Sequence, residues 1–179
     1  MDDTAEHVIL VDQDDREVGT APKLAAHERG QLHRAFSVLV HDGAGNLLLQ
    51  KRSPRKYHSG GLWTNTCCGH PRPGEDTAAA AKRRLQEEMG FTCALAPIGT
   101  LTYRADVGRG LVEHELVHLF AGEYHGPVHP DAQEAETHAW RPLEQIRRDA
   151  VSTPDLFTAW FRRYLSDPQR LSSLVPQAR

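Results

Sequence analysis

The chain has 179 residues, 21 Lys and Arg against 24 Asp and Glu, a formal net charge of −3, and 39% hydrophobic residues. That length supports one domain with a substantial core, and the slight acidity gives none of the basic field that nucleic-acid binding requires. No run approaches the roughly eighteen consecutive apolar residues of a membrane span, and the acidic start Met1-Asp2-Asp3-Thr4-Ala5-Glu6 is unlike the basic-then-apolar opening of a signal peptide, so a soluble cytoplasmic protein is expected. Cys67, Cys68 and Cys93 are odd in number with two adjacent, which favours reduced thiols over a disulfide framework. Eleven histidines, several beside Glu, invite a metal hypothesis.

His7-Val8-Ile9-Leu10-Val11 reads as a strand ended by an Asp-rich turn, with Val18-Gly19-Thr20 as its hairpin partner. Arg34 to His41 is a second strand, turned by Asp42-Gly43-Ala44-Gly45-Asn46 into Leu47-Leu48-Leu49-Gln50. Residues 51–61 are basic and loop-like, carrying Lys51, Arg52, Arg55 and Lys56 before Gly60-Gly61. Pro73-Gly74-Glu75-Asp76 starts a helix whose Ala78, Ala81, Leu85 and Met89 recur at three or four and which Gly90 ends. Leu111 to Phe120 is a further strand, and after a Gly-Pro loop comes Thr137 to Arg141. Pro142 to Arg148 begins a second helix. Ser152-Thr153-Pro154 starts a third, with Leu156, Phe157, Trp160, Phe161, Tyr164 and Leu165 as its apolar stripe. Strands and helices mix without regular alternation, so the class is α+β with a mostly non-parallel sheet. We expect a single domain over residues 1–179, with its core at about 5–165 and a frayed tail after Asp167.

The richest stretch runs from Asn65 to Phe91. Gly69, Glu75, Arg83, Leu85, Glu87, Glu88, Gly90 and Phe91 fit the Nudix box, Gly-x5-Glu-x7-Arg-Glu-U-x-Glu-Glu-x-Gly-U with U a bulky aliphatic, except that Arg84 stands where the box has Glu. On a helix Arg84, Glu87 and Glu88 share one face. Three carboxylates there would gather Mg2+ and activate water on a diphosphate. With Arg84 among them the face can still hold a diphosphate through one Mg2+ but is poorly suited to hydrolysing it, so other residues must carry the reaction.

Two segments supply candidates. If Thr64 to His70 is extended, Thr66, Cys68 and His70 lie on one face, and Asn65 and Cys67 on the other; the alternative is that both cysteines are small buried apolar residues. In Leu111 to Phe120, alternation puts Glu113, Glu115, Val117 and Leu119 on one side. A carboxylate pair on an apolar face is costly unless a cation or proton compensates it. With His from separated segments it would make a mixed N/O shell for a divalent metal of the Mn, Mg or Zn type. The alternative is two ordinary acids at a solvent edge. The basic residues of 51–56 read either as a solvated loop or as a phosphate clamp, and Trp160 either as helix core or as an aromatic face for a cation.

The chain resembles the type I isopentenyl-diphosphate isomerases, a Nudix-fold family, over roughly residues 5–165. The resemblance is carried by Glu6-His7-Val8-Ile9-Leu10, Ala25-Ala26-His27, Leu32-His33-Arg34-Ala35-Phe36-Ser37, Trp63-Thr64-Asn65, Cys68-Gly69-His70-Pro71, Tyr103-Arg104-Ala105 and Glu113-His114-Glu115. It implies a mixed central β-sheet flanked by helices and interconversion of isopentenyl and dimethylallyl diphosphate in isoprenoid biosynthesis. By the same resemblance His27, His33, His70, Glu113 and Glu115 hold one divalent metal (Mn2+, Mg2+ or Zn2+), and Glu88 holds the Mg2+ that accompanies the diphosphate. Cys68 and Glu115 become the acid/base pair, with Tyr103 assisting proton delivery near Glu115 and Trp160 matching a tryptophan near the active site. Lys23, Arg52, Lys56 and Arg84 bind phosphate. The implied partner is a small-molecule diphosphate, without nucleic acid or membrane, on a monomer or homodimer. Cys67 stands where the family often has an aliphatic residue.

Overall fold

The computed structural model describes residues 6–167 and 169–174. The opening hairpin is β1 (His7–Val11) and β2 (Glu17–Pro22). Its turn is set by Asp12, whose carboxylate accepts the backbone N–H groups of Asp14 and Arg16, each at 2.9 Å. The next element, α1 (Lys23–Arg29), was not expected as a helix: seven residues are too few to show a periodic stripe, and isolated helices of that length are marginal without tertiary contacts. Gly30, at φ 59°, ends it.

The strand β3 (His33–His41) organises the sheet. Ala35 and Leu39 face one apolar cluster, and Phe36, Val38 and Val40 face another, as a period of two requires in a strand buried on both sides. After β4 (Asn46–Arg52) come two short strands, β5 (Trp63–Thr64) and β6 (Cys67–Gly69). The helix α2 (Thr77–Met89) follows, and then the long hairpin of β7 (Ala96–Gly108) and β8 (Leu111–Glu123). The chain closes with β9 (Ala135–Pro142), α3 (Leu143–Ser152) and α4 (Ala159–Leu165). β3 runs parallel to β8 from His33↔Glu115 to His41↔Glu123, and antiparallel to β1 and β6, so the sheet is mixed. α2 packs on one face and α4 on the other.

The site exists because β3 and β4 separate. They pair at His41↔Leu47 beside their turn and then diverge, with β6 paired to β3 and β5 to β4 inside the fork. Thr66 closes its apex: its hydroxyl donates to Leu48 O at 2.7 Å and accepts the Val40 N–H at 2.9 Å, satisfying two buried backbone groups that the separation would otherwise strand. α2 is fixed at both ends. The Asp76 carboxylate accepts the Ala79 N–H at 2.9 Å, and Gly90 adopts φ 76° where a Cβ would stand 2.5 Å from His129 O.

Two expectations need correction. Pro154 opens a short 3-10 turn over Pro154–Leu156 rather than α4; Phe157 then bridges to Trp63, and Leu156 is exposed. Thr158 is tied to the sheet through its N–H to Trp63 O and its hydroxyl to Thr64 Oγ1, both 3.0 Å, and this tether interrupts the apolar stripe before the helix begins. The tail is not uniformly frayed either: Leu171 and Leu174 are buried in the cluster beneath α4, where apolar burial holds them, while residues 168 and 175–179 lie outside the described part. No helix among the described residues is long and apolar enough to cross a membrane.

Candidate active site

Four elements converge on a cluster of imidazoles and carboxylates. α1 contributes His27, the start of β3 His33, the segment after β6 His70, and β8 Glu113 and Glu115. His27 Nδ1–H donates to Lys23 O at 2.7 Å, and His33 Nδ1–H donates to Gln31 O at 2.8 Å. Since a carbonyl can only accept, both rings are held with an Nε2 lone pair free for the cluster. His70 Nε2 lies 3.2 Å from His33 Nε2 and 3.0 Å from Glu115 Oε1. One donor atom from each of His27, His33, His70 and Glu115 falls within 4.8 Å of all the others. His27 Nε2 is buried with no hydrogen-bond partner. A buried, unpartnered ring nitrogen aimed at neighbouring donors is costly alone and favourable as a ligand, so this set fits a divalent cation.

The two carboxylates are joined by one hydroxyl. Tyr103 OH lies 2.8 Å from Glu113 Oε2 and 2.8 Å from Glu115 Oε2. Burial and the Glu115 charge push the Glu113 carboxyl well above its ordinary range. Burial also pushes Glu115 up, but the His33 and His70 imidazoles beside it outweigh that and hold Glu115 well below that range. The pair therefore shares a proton kept on Glu113, with Glu115 ionised. Burial, reinforced by His70 and His33, pushes His27 down to about 4.

Cys68 lies in the fork and lines the same cavity as Glu115, Tyr103 and Trp160. Ser37, its register partner on β3, donates a hydroxyl to Cys68 Sγ at 3.3 Å and is itself 2.9 Å from Tyr164 OH. The thiol donates to Asn65 Oδ1 at 3.2 Å, and Asn65 Nδ2 is held by Val38 O and Cys67 O at 3.0 and 2.9 Å, which fixes the amide so that its oxygen faces the sulfur. Burial pushes this thiol up to about 12, the Ser37 hydrogen bond opposing only in part. Strict alternation over Thr64 to His70 thus fails: Thr66 turns to the backbone of the fork, and Asn65 reaches Cys68, because the chain bends between β5 and β6. Cys67 packs on the α2 side, fully buried.

Cations line the cavity opposite this chemistry in sequence but beside it in space. The Arg52 guanidinium lies 5.2 Å from the Trp160 ring centroid, and Lys23 pairs with Glu6 at 2.9 Å. Arg84 is held by Glu87, Glu88 and Glu134 at 2.8, 2.6 and 3.3 Å. Lys56 also pairs with Glu134. Glu88, almost fully buried, accepts from Gln50 Nε2 at 2.9 Å as well as from Arg84. Lys51, in contrast, pairs with Glu136 outside the cavity.

A NUDIX domain is matched over residues 31–161. The isopentenyl-diphosphate Delta-isomerase of Burkholderia multivorans is 51% identical over 156 residues, spanning 87% of this chain and 89% of that protein. The chain belongs to the isopentenyl-diphosphate Delta-isomerase family. Relatives of the same name from Serratia proteamaculans and Streptomyces avermitilis are 47% and 48% identical, each over 90% of this chain, and over 90% and 84% of their own lengths. Among solved structures, DR0079 from Deinococcus radiodurans superposes with a TM-score of 0.75 at 14% identity over 90% of this chain and 98% of that one, and a MutT protein from Methanosarcina mazei with 0.62 at 20% identity over 75% and 91%. At such identities the likeness is one of fold: the NUDIX fold, α+β with a mixed sheet.

For this member of the isomerase family, the residues that the resemblance assigns to the site all line the cavity except His33, which is fully buried. The five-residue metal set is not one compact group, however. Glu113 falls outside the four-donor cluster and instead lies with His27 and His58. Cavity residues without a sequence signal as site residues include Ser37, His58, Glu134 and Tyr164. Tyr164 read as helix stripe, Ser37 as an ordinary strand residue, and His58 and Glu134 sat in loops with no pattern to mark them.

Proposed function

We infer that the protein interconverts isopentenyl diphosphate and dimethylallyl diphosphate, serving isoprenoid biosynthesis, by adding a proton at one carbon of the alkene and removing one from the carbon on the other side of the resulting tertiary cation. The observation that carries this reading is that the Cys68 thiol and the Glu115 carboxylate, with its Tyr103 hydroxyl, line one buried cavity. In the forward direction C4 gains a proton, the positive charge rests on C3, and C2 loses a proton to the second group. Each turnover leaves the two groups with exchanged protonation states, so a reversible enzyme needs one of each at rest. Tyr103 bridges the Glu113 and Glu115 carboxyls and gives a path for a proton between them.

Trp160 faces the same space, and its indole attracts a desolvated cation by about 2 kcal/mol or more. Arg52, Lys56, Lys23 and Arg84 take the diphosphate; Arg84 does so by exchanging carboxylate partners for phosphate oxygens of like charge. Glu88 is the protein ligand for the Mg2+ that enters with the diphosphate. His27, His33, His70, Glu113 and Glu115 hold a second divalent ion, of the Mn2+, Mg2+ or Zn2+ type, which when bound lowers the cost of carboxylate charge beside the substrate. Water is excluded by the burial of Tyr103, Trp160 and Tyr164. With Arg84 standing where a third carboxylate would be, the α2 face lacks the full set that would activate a hydrolytic water.

Incubating the protein with isopentenyl diphosphate in D2O with Mg2+ tests the reading. Dimethylallyl diphosphate carrying deuterium in its new methyl group is expected. Release of phosphate without isomer, or isomer without deuterium, would overturn it.

A further inference from the structure

The Cys68 thiol is enclosed by hydroxyls and an amide that have no part in the reaction just described. Ser37, Thr64, Asn65, Thr158 and Tyr164 are each no more than 1% exposed. Such side chains are costly to bury unless their polar atoms find partners, and here the partners run in one direction. Asn65 Nδ2–H donates to the Val38 and Cys67 carbonyls, so Oδ1 is left as the acceptor. It takes the Thr64 hydroxyl at 3.0 Å and the Cys68 thiol at 3.2 Å. Thr64, having given its single proton, accepts the Thr158 hydroxyl at 3.0 Å. The thiol has likewise given its proton, so its sulfur accepts the Ser37 hydroxyl at 3.3 Å. Ser37 then has only lone pairs to offer Tyr164, whose OH is the donor across 2.9 Å. Two chains of donors thus end at Asn65, one from Thr158 through Thr64 and one from Tyr164 through Ser37 and Cys68. Both begin at one helix: Thr158 is the N-cap of α4, Tyr164 lies within it, and Trp160 stands between them.

We propose that Ser37 and Asn65 are positioning residues for the Cys68 sulfur, and that Tyr164 and Thr158 extend their grip to α4, so that the thiol and the Trp160 ring are held in one register; this rests on the isomerase reading above. A cysteine side chain has three staggered χ1 wells, and hydrogen bonds from two separate segments select one of them. The selection matters because proton transfer between sulfur and carbon is steep in distance, and a misplacement of about 1 Å costs about 100-fold. Tyr164 supports the assignment in its own right. It packs in the same apolar cluster as Phe157 and Phe161, where a Phe would bury an equal ring, and its hydroxyl is spent on Ser37. The hydrogen bonds of Ser37 and Tyr164 go to none of the cations that take the diphosphate, so their loss acts on kcat rather than on KM.

The test uses full-length protein with isopentenyl diphosphate and Mg2+, reading kcat and KM separately. Ser37→Ala should lower kcat by about 10- to 100-fold with KM within about twofold of wild type. Tyr164→Phe should lower kcat less, and the double variant should fall no further than Ser37→Ala, because Tyr164 acts through Ser37. Urea midpoints establish that each variant is folded. A readout without turnover is the infrared S–H stretch of Cys68 in a Cys67→Ala, Cys93→Ala background: one narrow band, which broadens when Ser37→Ala is added. Wild-type kcat in Ser37→Ala, an unchanged S–H band, a KM that rises as kcat falls, or a double variant as low as the product of the single losses would each overturn the proposal. Absence of isomerisation in wild type would instead remove the isomerase reading and the positioning role with it, while the S–H band would still show whether the sulfur is held.

Discussion

Acidifying the metal-free protein probes the histidine cluster directly. His27 ordinarily titrates near 6.5, but burial, with His70 and His33 beside it, brings it down to about 4 in the folded chain. Between those values the unfolded chain holds the proton and the folded chain does not. The stability that His27 lends is therefore fully present above 6.5 and is lost as pH falls toward 4. At about pH 5 the ratio of the two binding terms is about 30, or about 2 kcal/mol, whereas at about pH 7.5 it is close to zero. Glu113 works in the opposite sense: with its carboxyl pushed up, the folded state gains relative stability as pH falls through that raised value. Because the two oppose each other, the informative quantity is a difference. Urea unfolding of wild type and His27→Gln, both with chelator, should show wild type losing about 2 kcal/mol more than the variant between about pH 7.5 and about pH 5. Equal pH dependence in the two proteins would show that His27 is not held neutral by its surroundings, and the argument for a pre-formed cation site would lose its electrostatic support.

Cys68→Ala should abolish isomerisation, measured as dimethylallyl diphosphate formed, whereas Cys67→Ala, altering a sulfur packed against α2, should retain it; equal losses would mean the wrong thiol was assigned. Glu115→Gln should destroy turnover and weaken divalent-ion binding in a metal titration, since it removes the charge that His33 and His70 hold in place. Thr66→Val keeps the shape but strands the Val40 N–H and the Leu48 carbonyl, and should lower unfolding free energy by about 1–3 kcal/mol in urea. A change within a few tenths of a kcal/mol would show that the fork does not depend on that hydroxyl.

Much of this protein was legible before any coordinates. α2 announced itself by apolar spacing, by Asp76 before it and by Gly90 after it, because caps and periodicity are local properties of the chain. The strand β8 revealed its two acids because alternation places Glu113 and Glu115 on the side of Val117 and Leu119. Motif spacing marked the substituted carboxylate at Arg84, and so a diphosphate chemistry other than hydrolysis, while the family resemblance gave Cys68 and His70 their roles. The tertiary structure decided what depends on residues far apart in sequence. It turned Asn65 toward the Cys68 thiol, set Ser37 and Tyr164 behind that thiol, brought Glu134 between Lys56 and Arg84, and carried His58 from a loop to within 3.5 Å of Glu113. No local pattern encodes these contacts, because each arises where β3 and β4 part and distant segments fill the opening. There the burial of polar groups, costly unless they find partners, selects which side chains meet.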